Sequence, residues 1–397
     1  MADFTPPDRH AAVKGKGDTS GKEAARITSR VQARSSGNIK GQPAGFARTQ
    51  PRGGDPDPHA ANRRQAYAAL DLGTNNCRLL IARPSGENFT VIDAFSRVVR
   101  LGEGLAQSGR LSDQAMERAM AALNVCAEKL RRRNVHLARS VATEACRRAV
   151  NGAEFIERVR AETGIVLDII SAQEEARLAV LGCHVLLEQG PGPAVIFDIG
   201  GGSTELVLVE AGGAVPRILD WVSVPWGVVS LTDTVGRVDG NAAERQNRYA
   251  QMRGRVGESF AAFAQRIRAH TADGEAIRLL GTSGTVTTLA SLHLELTQYD
   301  RQAVDGLIVP AQAMRAISRR LVDMHGDERR QVPCIGDDRA NLVVAGCAIL
   351  ESIMDIWPAE RLGVSDRGIR EGILRSLMAA DIKGRQHQAS LRDGKEL

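Results

Sequence analysis

The chain has 397 residues, 43% apolar and 25% charged, with 52 Lys and Arg against 47 Asp and Glu, a formal charge of +5. At roughly 100–200 residues per domain this length predicts two domains, and no apolar run approaches the ~18 residues that cross a bilayer, so no membrane partner is expected. Six cysteines without a CxxC pair argue against a zinc site or a disulfide framework; with no apolar secretory segment at the start, they predict reduced thiols in a cytoplasmic protein.

Residues 1–65 hold 12 basic and 6 acidic side chains, leaving 40 basic and 41 acidic for the rest, so the basic character belongs to this segment. It carries 8 Gly, 6 Pro and scattered apolar residues that cannot cover a core, which predicts a disordered extension. From Tyr67 the pattern changes. Tyr67–Asp71 and Cys77–Ala82 read as two strands joined by a Gly-Thr-Asn-Asn turn. Ser112 opens a helix with apolar positions at spacings of three and four, closed by Arg131-Arg132-Arg133, where a helix C-terminus favours positive charge.

A strand (137–142), a helix opened by Asn151-x-x-Glu154 and a strand (165–170) follow. Ser171-x-x-Glu174 has the form of a capping box for a helix running to about His184. Ala194–Asp198 and Thr204–Val209 repeat the strand–turn–strand unit, and a further strand is expected around Trp221. Helix 242–269, strand 276–280, helices 284–293, 311–324 and 338–356, strand 362–365 and a closing helix from Gly368 complete the pattern. Strands alternating with helices, and two Asp-x-Gly hairpins 127 positions apart, predict an α/β protein of two related domains facing each other across a cleft.

Three turns carry the chemistry. The first is Asp71-Leu-Gly73-Thr74-Asn75-Asn76, the second Asp198-Ile-Gly200-Gly201-Gly202-Ser203-Thr204-Glu205, the third Gly281-Thr282-Ser283-Gly284 at a strand-to-helix junction. Small residues let backbone amides close around an oxyanion, hydroxyls add donors, and the third turn offers a helix N-terminus. A phosphate beside Asp71 and Asp198 is repelled unless a cation lies between them, which predicts Mg²⁺ as cofactor. P-loop, dinucleotide and nucleophile-elbow spacings are absent. Glu175 points about 100° away from Glu174 and is free for chemistry, and Arg147, after a strand end, is placed to clamp phosphate in a planar fork.

Asp-Leu-Gly-Thr-Asn-Asn, Ala-Thr-Glu-Ala-Cys-Arg, Ser-Ala-Gln-Glu-Glu-Ala-Arg-Leu, Asp-Ile-Gly-Gly-Gly-Ser-Thr-Glu-Leu, Gly-Thr-Ser-Gly-Thr and Ser-Asp-Arg-Gly-Ile-Arg-Glu-Gly occur in this order between about 66 and 380. Together they resemble the exopolyphosphatase / guanosine pentaphosphate phosphohydrolase family of the actin / sugar kinase / Hsp70 superfamily. The resemblance implies two ribonuclease-H-like (actin-like ATPase) domains with an interdomain active-site cleft: domain I over 66–171, domain II over 172–366, and a C-terminal helix (about 367–385) returning to domain I. It implies Mg²⁺-dependent removal of terminal phosphate from inorganic polyphosphate or guanosine pentaphosphate.

By motif, Glu175 matches the carboxylate that activates water and Glu205 the second essential acid, near metal and phosphate. Asp71 and Asp198 match metal-holding aspartates. Gly73, Thr74, Asn75, Arg147, Gly200, Gly201, Gly202, Ser203, Thr204, Ser283 and Gly284 fall at expected phosphate contacts. Asn76 stands where the family often has Ser, and the sequence ends before the helical region of larger members, which leaves processive action on long chains open. A kinase on the same fold needs adenosine and acceptor pockets with no counterpart here, and a non-catalytic sensor of polyphosphate or alarmone gains nothing from Glu175 and Glu205. Few aromatics near basic residues argue against nucleic acid; the oligomeric state stays open, a homodimer among the options.

Overall fold

The computed structural model describes residues 65–86, 88–210, 212, 215–270 and 277–393, so the expected N-terminal extension, Gln65 apart, lies outside the described residues. Strands β1 (Ala66–Leu72), β2 (Asn76–Ser85) and β3 (Asn88–Val98) form an antiparallel meander, which β4 (Val135–Ala142) and β5 (Leu167–Ile169) extend in parallel, in the order β3-β2-β1-β4-β5. A second sheet joins β6 (Pro193–Ile199), β7 (Thr204–Glu210), β8 (Arg217–Val224), β9 (Arg278–Thr282), β10 (Ile308–Pro310) and β11 (Arg361–Ser365) in the order β10-β11-β9-β6-β7-β8. Counted from β8, its first five strands repeat the first sheet, and β10 is an added antiparallel edge. The duplication suggested by two hairpins therefore extends to both whole sheets, the two-sheet arrangement that the resemblance implies.

Period-two alternation explains why β1 is buried on both faces. Ala66, Ala68, Leu70 and Leu72 pack into a core with α2 (Asp113–Arg132) and α4 (Gly152–Thr163), which follow the short α1 (Leu105–Ser108) and α3 (Glu144–Arg148). Tyr67 and Ala69 face the opposite way, onto α5 (Ala172–Cys183) and the last helix. Beyond α5 come α6 (Val228–Val235), α7 (Ala242–Ile267), α8 (Gly284–His293), α9 (Arg301–Val304), α10 (Ala311–Asp323), α11 (Gly326–Gln331), α12 (Asp337–Ala340), α13 (Val343–Ile356) and α14 (Ile369–Asp393). The expected helix 338–356 is thus split into α12 and α13, and the expected strand 276–280 begins at Arg278, its first residue lying outside the described ones. β3 and β10 were not expected.

Helix α5 serves both sheets. Leu178 and Ala179 pack under the first sheet with Ile373 and Leu374 of α14, whereas Ala176, Val180 and Cys183 pack under β6 and β7 of the second. α5 and α14 cross with their backbones touching. A Cβ on Gly182 would stand 1.9 Å from the Gly368 carbonyl oxygen, and one on Gly372 2.0 Å from that of Leu178. Only glycine permits this approach. Trp226 anchors in the second core, its indole N–H donating to Ser259 Oγ at 2.8 Å. Among the described residues no helix is long and apolar enough to cross a membrane.

Candidate active site

The two hairpin turns are closed alike: Gly73 N–H donates to the Asn76 carbonyl and Gly200 N–H to the Ser203 carbonyl, each at 2.9 Å. The carbonyls of Thr74 and Asn75 accept from the amides of Val99, Arg100 and Gly102, and those of Gly200 and Gly201 from the first amides of α6. With these carbonyls taken, the amides not used to close the turns are the backbone groups the loops have left to offer, the polarity an oxyanion requires. The loops meet at their tips. A Cβ on Gly201 would lie 3.0 Å from Asn75 N, and one on Gly202 1.8 Å from Glu144 Oε2.

The cleft is lined by Asp71, Gly73, Thr74 and Asn75 from the first loop, by Asp198, Gly200, Gly201, Gly202, Ser203 and Glu205 from the second, and by Ser283 and Gly284 at the start of α8. Glu175, in the first turn of α5, completes it. Ser171 caps that helix by accepting from Glu174 N at 3.1 Å, but the box is only half formed: Glu174 pairs with Arg139 and Arg177 rather than turning back to the backbone. Asn151 does not act as a side-chain cap either; its amide is bonded to the backbone of Leu111.

Two expected phosphate contacts sit differently. Arg147 is absent from the cleft lining; its guanidinium donates to Glu175 Oε2 at 3.2 Å through both Nη atoms and to the Ile170 carbonyl at 2.7 Å. It orients the Glu175 carboxylate, and its charge also acts on Glu205. Thr204 is fully buried, with its hydroxyl donating to the Trp226 carbonyl. Thr74 and Ser203 are committed as well, Thr74 Oγ1 to Glu144 Oε2 at 3.1 Å and Ser203 Oγ to Glu205 Oε1 at 2.7 Å, whereas Ser283 Oγ is buried with no hydrogen-bond partner.

Sequence reasoning missed Glu144, Arg78 and Arg339. Arg78 was legible: the tight hairpin places it directly opposite Asp71, as the second hairpin places Glu205 opposite Asp198. Arg339, on α12, donates to Thr288 Oγ1 and had no such local signal. Both arginines also line a second cavity of about 300 Å³, larger than the cleft's 130 Å³, which shares Asp71, Asp198 and Ser283 with the cleft and adds Tyr299, Arg367 and Arg370.

Burial pushes the cleft acids up. Asp71 rises to about 6 and Glu205 to about 7, in both cases chiefly through desolvation, with Asp198 adding to the effect at Glu205. Glu175 is raised well above the carboxylate range by desolvation and by the Glu205 charge, which outweigh Arg147, and Asp198 rises through desolvation too. Folded pKa values above the unfolded ones mean that the native state binds more protons at these groups, so their contribution to stability is fully present below about pH 4 and is lost as pH rises toward 7. The expected result is that the melting temperature in chelator falls from pH 5 to 7.5, and that added Mg²⁺ restores more of it at pH 7.5 than at pH 5. A melting temperature independent of pH and Mg²⁺ would count against the acid cluster.

The donor set fits a hard cation. Asp71 Oδ1 is buried with no hydrogen-bond partner. Among the described residues no three acidic, His or Cys side chains come together to hold a metal alone. Mg²⁺ commonly takes one or two carboxylates and completes its shell with water and phosphate, so the arrangement suits it.

The sequence profile of the Ppx/GppA phosphatase family matches residues 80–380. Among solved structures, the Ppx/GppA family member of Aquifex aeolicus is 28% identical, covering 80% of this chain and 98% of its own, with a TM-score of 0.64. An exopolyphosphatase-like protein is 28% identical over 79% of this chain and 99% of its own, with a TM-score of 0.70. An exopolyphosphatase from Cytophaga hutchinsonii shares the fold at 23% identity, covering 80% and 98% of the two chains, with a TM-score of 0.69.

Proposed function

The chain belongs to the Ppx/GppA phosphatase family of hydrolases acting on phosphoanhydride bonds, and from that premise we propose that it is a Mg²⁺-dependent exopolyphosphatase releasing orthophosphate from the end of inorganic polyphosphate. The observation that carries this reading is the buried Glu175 carboxylate, held by Arg147 and facing a cleft floored by two amide-bearing loops. A terminal phosphoryl group seated on the amides of the two loops and on the N-terminus of α8 has its charge dispersed by fixed dipoles. Glu175, with its proton affinity raised, accepts a proton from water near neutral pH and aims that water at phosphorus for in-line attack. Asp71, Asp198 and Glu205 would hold the cation partly through water, and the bound cation would screen the phosphate from these carboxylates.

The second cavity favours one further reading, guanosine pentaphosphate as substrate. Its arginines suit additional phosphates, and the Tyr299 ring, 42% exposed, offers a flat surface to a nucleoside. Orthophosphate release should be measured side by side on tripolyphosphate, long polyphosphate and guanosine pentaphosphate, with and without Mg²⁺. Release from polyphosphate only with Mg²⁺ is expected. Preference for the nucleotide would establish the second reading, and no release from any of the three would overturn both.

A further inference from the structure

Glu144 has no part in the chemistry above, yet it is 4% exposed and lies at the meeting point of the two loops. Its two oxygens have separate partners: Oε1 accepts from Arg148 Nη1 at 2.9 Å and Oε2 from Thr74 Oγ1 at 3.1 Å. The missing side chain of Gly202 leaves the room the carboxylate occupies. An ionised carboxylate only accepts, so the Thr74 proton must point at Glu144. The Thr74 oxygen then turns lone pairs, not a hydrogen, toward the cleft it lines.

That polarity is wrong for a phosphate oxygen and right for a cation. Asp71 Oδ1, three residues earlier in the same turn, is a second buried acceptor with no donor to meet it. No trio of acidic, His or Cys side chains supplies a complete site among the described residues, which leaves room for neutral side-chain oxygens beside water and phosphate. The second loop has the same arrangement, since Ser203 Oγ donates to Glu205. We propose that Glu144 is a positioning residue of the cation site: by taking the Thr74 proton it presents the Thr74 oxygen, in the cleft that Asp71 also lines, as a ligand for a hard divalent cation. The inference rests on the proposed cation requirement, not on the identity of the substrate.

Replacing Glu144 with Gln tests the polarity directly. Arg148 needs an acceptor, so the Gln oxygen stays with Arg148 and its NH₂ faces Thr74, which must then accept and point its own hydrogen into the cleft. Mn²⁺ binding to the full chain is read by the loss of the free-ion EPR signal, without substrate and again with orthophosphate. Glu144→Gln and Thr74→Val should each weaken Mn²⁺ binding by about 10–100-fold, the scale seen when a metal ligand loses its orienting partner. Thr74→Ser should bind as the wild type does, and circular dichroism should show all three variants folded. Unchanged Mn²⁺ affinity in Thr74→Val, or in folded Glu144→Gln, would overturn the proposal; so would failure of the wild type to bind Mn²⁺ in either condition. Because the readout is binding, an error in the substrate assignment leaves the result standing.

Discussion

Glu175→Gln should lower turnover by roughly 10²-fold or more, the contribution typical of a positioned general base, while leaving the melting temperature unchanged or higher. The two effects separate because they have different causes. Glu175 is desolvated and faces the charges of Glu205, Asp71 and Asp198, with Arg147 as the opposing cation. An amide keeps the shape and can still accept from Arg147, but it removes the repulsion. It cannot take a proton from water. Near-normal orthophosphate release by the variant would remove Glu175 from the role, and a sharp fall in melting temperature would recast it as a structural anion for Arg147. In the wild type, kcat/KM should fall on the acid side at a pH above the usual carboxylate range, because the base must be ionised and its pKa is raised.

Gly372→Ala should be among the most damaging substitutions distant from the cleft acids. The new methyl would sit 2.0 Å from the Leu178 carbonyl oxygen of α5, a backbone atom that cannot swing aside, so the two helices must part. Overpacking of this kind costs about 1–3 kcal/mol, and a backbone obstacle places it at the upper end. Parting the helices also loosens Ile373 and Leu374 from Tyr67, Leu178 and Val141. Gly182→Ala should behave alike, since its methyl meets the Gly368 carbonyl across the same crossing. The double variant should lose less than the two single losses combined, because helices already separated have room for the second methyl. Thermal denaturation of the three variants checks this; full additivity, or an unchanged melting temperature for Gly372→Ala, would contradict it.

The glycine turns, the position of Glu175 behind the Ser171 cap and the α/β alternation were legible because each rests on local chain chemistry. β3 was not, because it is an outer strand with no buried residue, and the apolar alternation that marks a strand never develops. β10 has three residues, one of them a proline, too few for any period to show. Arg147 was read as a phosphate clamp because an arginine after a strand end can do that; its partners, Glu175 and the Ile170 carbonyl, are 28 and 23 residues away and appear only when β4, β5 and α5 are assembled. Thr74 and Ser203 were read as donors because a hydroxyl has a hydrogen to give. Which neighbour takes it is a tertiary fact. Arg78 was the avoidable omission, since counting across the first hairpin sets it against Asp71 just as Glu205 is set against Asp198.

The docking of α14 on β1 has a consequence for how the chain comes off the ribosome. Tyr67, Ala69, Leu80 and Val141 emerge well before Ile373, Leu374 and Met378, which cover them. The first sheet therefore keeps an oily face uncovered until α14 is made, the situation in which nascent chains associate with one another or with chaperones. Removing a few turns of α14 strips the side chains that shield strands made well before it.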